Sequence, residues 1–533
     1  MKILPALLVV SLCVSLALRA RADVTLAPLF SDHAVWQRDK PVPVWGRADA
    51  GEKIVAKFAG QSRQTTAGAD GRWIVYFEAF PARVEGAELT VTGKNILIVR
   101  DIVVGEVWLC SGQSNMEFTV GARQGWQANT RVNNAAAEIA AARWPLVRHV
   151  RIAARVADTP ADTVATSGWA LAAPETVGDF TAVGYFFARD LYQKLGVPIG
   201  LVNSSVGGTP VESWLSPAAV ASNPAFGFVA ERWRQNLAAF PANRAAYEAA
   251  LAAWTAADAK AKAAAAVAGA KTKPKTDGAK SYAAWSKKNP RPRAPRGPGD
   301  GWTPTGLFNG MINPLLPYAI RGALWYQGES NAERATEYRG LFSAMITAWR
   351  AHFGQGEFPF YWVSLANYQN SSDATGLTYA ALREAQTQTL VLPNTGQALA
   401  IDVGNPDDIH PTNKQDVGRR LAMLAKNRVY GLTVDDTGPT FAAIVREGAA
   451  LRVRFTHASG LIAHDKPVQS LEIAGADKIF HPATAQIERE TLLVSAPKVR
   501  EPVAVRYAWR NAPEANLYNG AGLPAVPFRS EPW

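Results

Sequence analysis

The sequence predicts an α/β fold: a mostly parallel sheet flanked by helices, with β-rich segments at both ends. Three observations lead there. Between Asp101 and Val429 short apolar runs alternate with helix-like segments, the pattern of parallel strands joined by helical crossovers. Each polar, chemistry-bearing motif in that stretch sits at or just beyond the end of one of those runs. The flanking regions change period, to short strand-like runs separated by turn residues.

At the amino terminus Lys2 precedes an apolar run from Ile3 to Leu18, and Ala20-Arg21-Ala22 offers small residues at cleavage spacing. Residues 1–22 therefore read as a secretory signal peptide, with the mature chain starting near Asp23 and an exported, periplasmic or extracellular location. The run is short for a membrane span, and no later segment reaches the roughly 18 uninterrupted apolar residues a span needs. Of two cysteines, Cys13 lies in the signal and Cys110 remains alone, so no intrachain disulfide is expected in the mature chain. A cysteine-rich zinc site is excluded, no HExxH spacing occurs, and neither metal nor organic cofactor is expected.

Residues 23–100 read as β, with runs such as Val42 to Trp45, Lys53 to Phe58, Trp73 to Phe77 and Leu89 to Thr92. Two arrangements suit them: a small sandwich, or a lobe packed on the next segment without a core of its own. Residues 101–430 supply the α/β alternation. Strands are expected at Glu106 to Cys110, Ile199 to Asn203, Gly322 to Tyr326, Phe358 to Leu365 and Ala398 to Val403. Helices are expected at Val183 to Leu195, Glu337 to His352, Ala380 to Leu392 and Lys414 to Lys426. The turn-rich Asp435 to Pro439 marks the passage into residues 431–533, which are β-like again.

Residues 238–301 break the alternation. The segment is rich in Ala, Lys and Pro, helical at first and then extended. Residues 255–300 hold eleven Lys or Arg against three Asp, and Lys2, Arg19 and Arg21 add three more positive charges. These two segments account for the whole formal charge of +11 and leave the remaining chain near neutral. Nucleic-acid binding thereby loses its support, because such charge without a reading fold gives only nonspecific contact. A solvated linker or hairpin is the expectation for the insertion, with contact to an acidic polysaccharide or a membrane surface as the alternative.

Four motifs carry chemistry. In Gly112-Gln113-Ser114-Asn115-Met116 a glycine lets the chain turn sharply out of a buried strand, leaving the Ser114 hydroxyl at the strand's carboxyl end, where open α/β sheets place ligands. Serine needs a base, and of seven histidines His410 has the most suitable setting, a polar loop with Asp407 and Asp408 within three residues. The glycine pair Gly207-Gly208 can present backbone N–H groups to a developing oxyanion, and Gln327 carries an amide donor at the end of another apolar run.

Taken together, GQSNM, NSSVGGTPVESW, WYQGESN and DIHPTNKQDVG, in that order, resemble the sialate O-acetylesterase family of the SGNH hydrolases. The resemblance covers most of the chain from about Val103 to Val429. It implies Ser114 as nucleophile and backbone oxyanion donor, Gly207 or Gly208 as second donor, Gln327 as third and His410 as base. For the acid, Asp-x-x-His spacing selects Asp407 and the DIHP form selects Asp408; both are kept, with Asp407 preferred on spacing and a Ser-His pair as the alternative. Glu329 and Asn331 are read as orienting Gln327 and its loop, although a carboxylate near a helix start suits Glu329 equally. Of seventeen tryptophans most belong to the core, with Trp214, Trp325 and neighbouring Tyr326 placed near the site.

The expected function is an exported carbohydrate O-acetylesterase acting on sialate-like sugars through an acyl-enzyme. Alternatives are an acetylxylan or other plant-polysaccharide acetylesterase and, from another class, a non-catalytic carbohydrate-binding protein. A lipase or peptidase lacks the Gly-x-Ser-x-Gly elbow. The expected partner is an O-acetylated sugar or glycan; the sequence leaves the oligomeric state open.

Overall fold

A computed structural model describes residues 23–122, 127, 128, 130–271, 276–464 and 466–531. The expected signal peptide, 1–22, lies outside the described residues.

The fold is built on one long strand, β1 (Ile96–Gly112). Its first residues alternate in exposure, whereas 102–112 are continuously buried. That change marks the passage from a half-solvated antiparallel pairing with Arg83–Thr92 into a sheet covered on both faces. The expected boundary at residue 100 falls inside this strand.

Six further strands extend the sheet on the catalytic side: β2 (Trp144–Ile152), β3 (Thr166–Ala172), β4 (Ile199–Ser205), β5 (Gly322–Tyr326), β6 (Phe360–Val363) and β7 (Thr395–Ala398). They lie in the order β3-β2-β4-β1-β5-β6-β7. All neighbours are parallel except β3, which runs antiparallel on the edge beside β2. Successive residues serve opposite faces. Leu109, Ala323, Trp325, Phe360 and Trp362 enter one core with α5 (Ala335–Phe353) and α6 (Thr378–Gln388). Trp108, Cys110, Leu324, Tyr326 and Tyr361 enter the other with α2 (Ala182–Leu195) and α7 (Lys414–Arg428). Cys110 is buried and free, and burial pushes its thiol pKa up.

The amino-terminal strands have no separate core. Trp36, Phe58, Trp73 and Phe77 belong to the same cluster as Trp325 and Trp349. Residues 440–529 instead gather their own cluster around Val453, Ile473, Val494 and Tyr507. Ile401 joins that cluster, which corrects the strand expected at Ala398 to Val403. The strand is the less apolar Thr395–Ala398; of the run after it Ile401 packs on the carboxy-terminal β region, whereas Ala400 and Val403 stay with the sheet core.

The insertion forms a helical hairpin, α3 (Gly227–Lys271) and α4 (Thr276–Lys288). Tyr282 Oη donates to Asp258 at 2.6 Å, and Trp254 packs on Trp285 at 6.2 Å. Among the described residues no helix is long and apolar enough to cross a membrane.

Candidate active site

The register of the sheet brings the motifs to one rim. Gly112 lies opposite Ser205 on β4 and Tyr326 on β5, so the segments beginning at Gln113, Val206 and Gln327 leave three adjacent strands at the same level. Gly112 has a φ of +131°, and a side chain there would strike the Tyr326 carbonyl; only glycine lets β1 turn so close to β5.

The turn delivers Ser114 as the first residue of the short helix α1 (Ser114–Glu117). Its first backbone N–H groups have no intrahelical acceptor, and the Gln113 side chain does not cap them. His410 reaches it from the loop between β7 and α7, with Nε2 2.9 Å from Ser114 Oγ. Both residues line a cavity of about 730 Å³. Burial and the nearby Lys414 ammonium push the His410 pKa down to about 4, against the pull of the Asp408 carboxylate.

Asp408, not the preferred Asp407, is the carboxylate brought to the imidazole. Its Oδ1 accepts the His410 backbone N–H at 2.9 Å and stands 3.7 Å from Nδ1. Asp407 occupies the exposed corner of a turn closed by Asn405, whose Oδ1 accepts the Asp407 N–H at 2.9 Å. Closing the turn on Asn405 points Asp407 to solvent and folds Asp408 back over the loop.

The glycine pair divides. Gly207 N–H donates to Glu117 Oε2 at 2.8 Å, and Glu117 is also paired with Arg151 at 3.0 Å. Gly208 (φ +71°) is exposed at the rim, and among the described residues no acceptor takes its N–H. Its carbonyl accepts Trp302 Nε1–H at 2.8 Å.

Gln327 is not brought to the cavity. It is fully buried, its amide N–H groups donate to Thr209 O at 3.1 Å and Asn331 Oδ1 at 2.7 Å, and its Oε1 accepts Tyr338 Oη–H at 3.0 Å. Packing under α5 turns the side chain away from Ser114. Asn331 does hold Gln327, and it also accepts Val211 N–H at 2.9 Å and donates to Glu212 at 2.8 Å, tying the loop after Gly208 to the turn after β5. Glu329 instead grips Asn115, at 2.7 Å.

Trp214 and Trp325 are core residues, packed edge to face at 5.8 Å, and Tyr326 is likewise buried. The aromatic rings at the cavity are Trp302, Tyr368 and Tyr379. Trp302 closes the insertion, and Arg293 and Arg296 precede it along the same wall. Arg296 and Arg334 stack on the Trp302 ring at 4.4 and 5.2 Å. The exit of the insertion, after the helical hairpin, forms part of the cavity wall. A tryptophan and arginines set in a Pro/Gly-rich run were the available signal. Among the described residues no His/Cys/Asp/Glu cluster could hold a metal.

A part-buried serine–histidine contact at the carboxyl rim of a parallel sheet, in a cavity with aromatic and charged walls, has the geometry that a serine hydrolase needs. The comparisons with known proteins agree. The family described as SASA, carbohydrate esterase, sialic acid-specific acetylesterase, matches residues 104–267 and 297–427, and the chain belongs to it. The unmatched gap falls within the insertion. Rat sialate O-acetylesterase is 29% identical over 91% of this chain and 90% of its own length. The human sialate O-acetylesterase is 27% identical over 81% of this chain and 76% of its own. The crystal structure of a carbohydrate acetylesterase from Xanthomonas citri superposes with a TM-score of 0.77 at 36% identity, covering 96% of this chain and all of the other. The protein is a carbohydrate esterase.

Proposed function

We propose that the chain is an exported esterase that removes O-acetyl groups from sialic acids through a covalent acetyl-enzyme. The observation that carries the mechanism is the 2.9 Å contact between Ser114 Oγ and His410 Nε2 on the cavity wall. Ser114 is the nucleophile and His410 the base, with Asp408 favouring the Nδ1–H tautomer that leaves Nε2 free to accept. His410 takes the hydroxyl proton as Ser114 Oγ bonds to the acetyl carbon, and the oxyanion is met by the Ser114 and Gly208 N–H groups. The imidazolium then gives its proton to the departing sugar oxygen as the ester C–O bond breaks. Water, deprotonated by His410, attacks the acetyl-enzyme; acetate leaves and Ser114 regains its proton.

The preference for an acidic sugar is supported by the wall of the insertion. Arg293 and Arg296 bring guanidinium groups to the rim, where a planar, permanently charged donor suits a sugar carboxylate. Arg296 is 3.4 Å from Asp300, whereas no ion-pair partner among the described residues holds Arg293. Glu333 is also exposed on the cavity wall. In this reading residues 101–430 are catalytic, and the β-rich 23–100 and 431–533 close the structure.

The test is acetate release from 9-O-acetylated sialic acid beside acetylated xylo-oligosaccharides. Preference for the sialate supports the proposal. Preference for the xylo-oligosaccharides keeps the mechanism and moves the function to plant polysaccharide, and release from neither favours a binding protein.

A further inference from the structure

Ser114 and His410 are carried by elements that share no strand pairing, and one side-chain amide joins them. Asn115, next to the serine, donates from Nδ2 to Ile409 O at 3.0 Å, the carbonyl just before His410. The same nitrogen donates to Glu329 Oε1 at 2.7 Å, while Oδ1 accepts Lys414 Nζ–H at 2.6 Å. Both Nδ2 hydrogens are used, and the partners fix the orientation: a flipped amide would set a donor against an ammonium and an acceptor against a carboxylate.

Lys414 is fully buried. Its ammonium lies 4.9 Å from the Phe118 ring centre and 5.4 Å from that of Tyr326. Burying a lysine there is costly, and an apolar side chain of similar length would fill the same space without that cost. Packing gives no reason for the charge. Glu329 Oε2 is likewise buried without a hydrogen-bond partner, so the two charges are bridged by Asn115 rather than joined in a direct ion pair.

We propose that Lys414 and Glu329 are positioning residues which, acting through Asn115, hold the Ile409 carbonyl and with it the His410 imidazole at hydrogen-bond distance from Ser114. The inference rests on Ser114 and His410 being the nucleophile and base. The charges facing this cluster are those of Glu329 from the turn after β5, Asp408 and His410 from the loop before α7, and Lys414 from α7 itself; Tyr326 on β5, Tyr338 on α5 and Tyr379 on α6 are neutral titratable neighbours. Burial pushes the Lys414 pKa down to about 7 against the attraction of Glu329 and Asp408, and burial pushes Glu329 up. Lys414 also opposes protonation of His410.

The test compares wild type, Lys414→Met and Lys414→Met/Glu329→Gln on 4-nitrophenyl acetate, with kcat, KM and the pH profile as readouts and Ser114→Ala as control. The double variant removes both buried charges together and serves if the single variant fails to fold. The expected result is a fall in kcat of about a hundredfold, the scale of a small misplacement of a reacting group. KM stays nearly constant, and the acid limb of kcat/KM moves toward neutral pH. Wild-type kcat with an unmoved acid limb in a folded variant, or a loss confined to thermal stability, would overturn the inference. Activity retained in Ser114→Ala would overturn the underlying assignment instead, and the two failures are therefore distinct.

Discussion

Ser114 Oγ and His410 Nε2 lie 2.9 Å apart although 296 residues separate them in the chain. The contact exists because the turn after β1 and the loop after β7 are drawn together at one rim. In the proposed mechanism turnover depends on both side chains, and Ser114→Ala and His410→Ala are each expected to lower kcat by about a thousandfold or more. Acetate release at matched thermal stability checks this; turnover close to wild type in either variant removes that residue from its role.

The acid is expected to be Asp408. Asp408→Asn should lower kcat well beyond Asp407→Asn, because only Asp408 approaches the imidazole, at 3.7 Å. Parallel kinetics of the two variants decide it. Equal, small effects would point to a Ser-His pair.

The acid limb of activity should lie low. His410 must be neutral to accept the serine proton, and its pKa is pushed down to about 4, below the ordinary histidine value. kcat/KM is expected to hold through pH 6 and 5 and to fall as pH passes through about 4. The same shift has a stability counterpart. Between the ordinary value and about 4 the unfolded chain binds the proton that the folded chain refuses, so His410 costs stability progressively as pH falls through that window. A kcat/KM profile with its acid limb near 6.5 would contradict the assignment of cause.

Gln327→Ala separates two roles by magnitude. An oxyanion donor lost from the site costs about a hundredfold or more in kcat with little change in stability. A buried amide whose partners are Thr209, Asn331 and Tyr338 instead leaves unmet hydrogen-bonding groups, at about 1–3 kcal/mol each. Thermal denaturation and kcat measured on the same sample are expected to show the second pattern, a lower Tm with most of kcat kept. A selective collapse of kcat would restore the oxyanion reading.

Arg293→Ala together with Arg296→Ala is expected to raise KM for O-acetylated sialic acid by several-fold, and by less for a neutral acetyl ester, since the guanidinium groups recognise charge rather than the acetyl carbon. KM values on the two substrates check this. An equal change on both would assign the wall a packing role.

Much of this architecture is legible in the sequence because its signals are local. The apolar runs ending at Cys110, Asn203 and Tyr326 name three adjacent strands, and motifs at their ends place Ser114, Gly208 and Gln327 near one rim. What the sequence does not carry is side-chain direction. Gln327 and Gly208 have equally suggestive settings, yet packing beneath Tyr338 buries the first and the turn exposes the second. Spacing favours Asp407 over Asp408, whereas the turn closed by Asn405 reverses that order. The insertion returns to the cavity at Arg293 and Arg296, and Trp302 just after them reaches Gly208 across 94 positions, a contact that no composition reports. Lys414 looks like any helix-opening lysine until α7 is packed against Phe118.

The decisive measurement is acetate release from 9-O-acetylated sialic acid by the purified protein, with Ser114→Ala measured beside it. Rapid release by the wild type and almost none by the variant is the expected result. Equal release by both, or none by a folded wild type on this sugar, would contradict it.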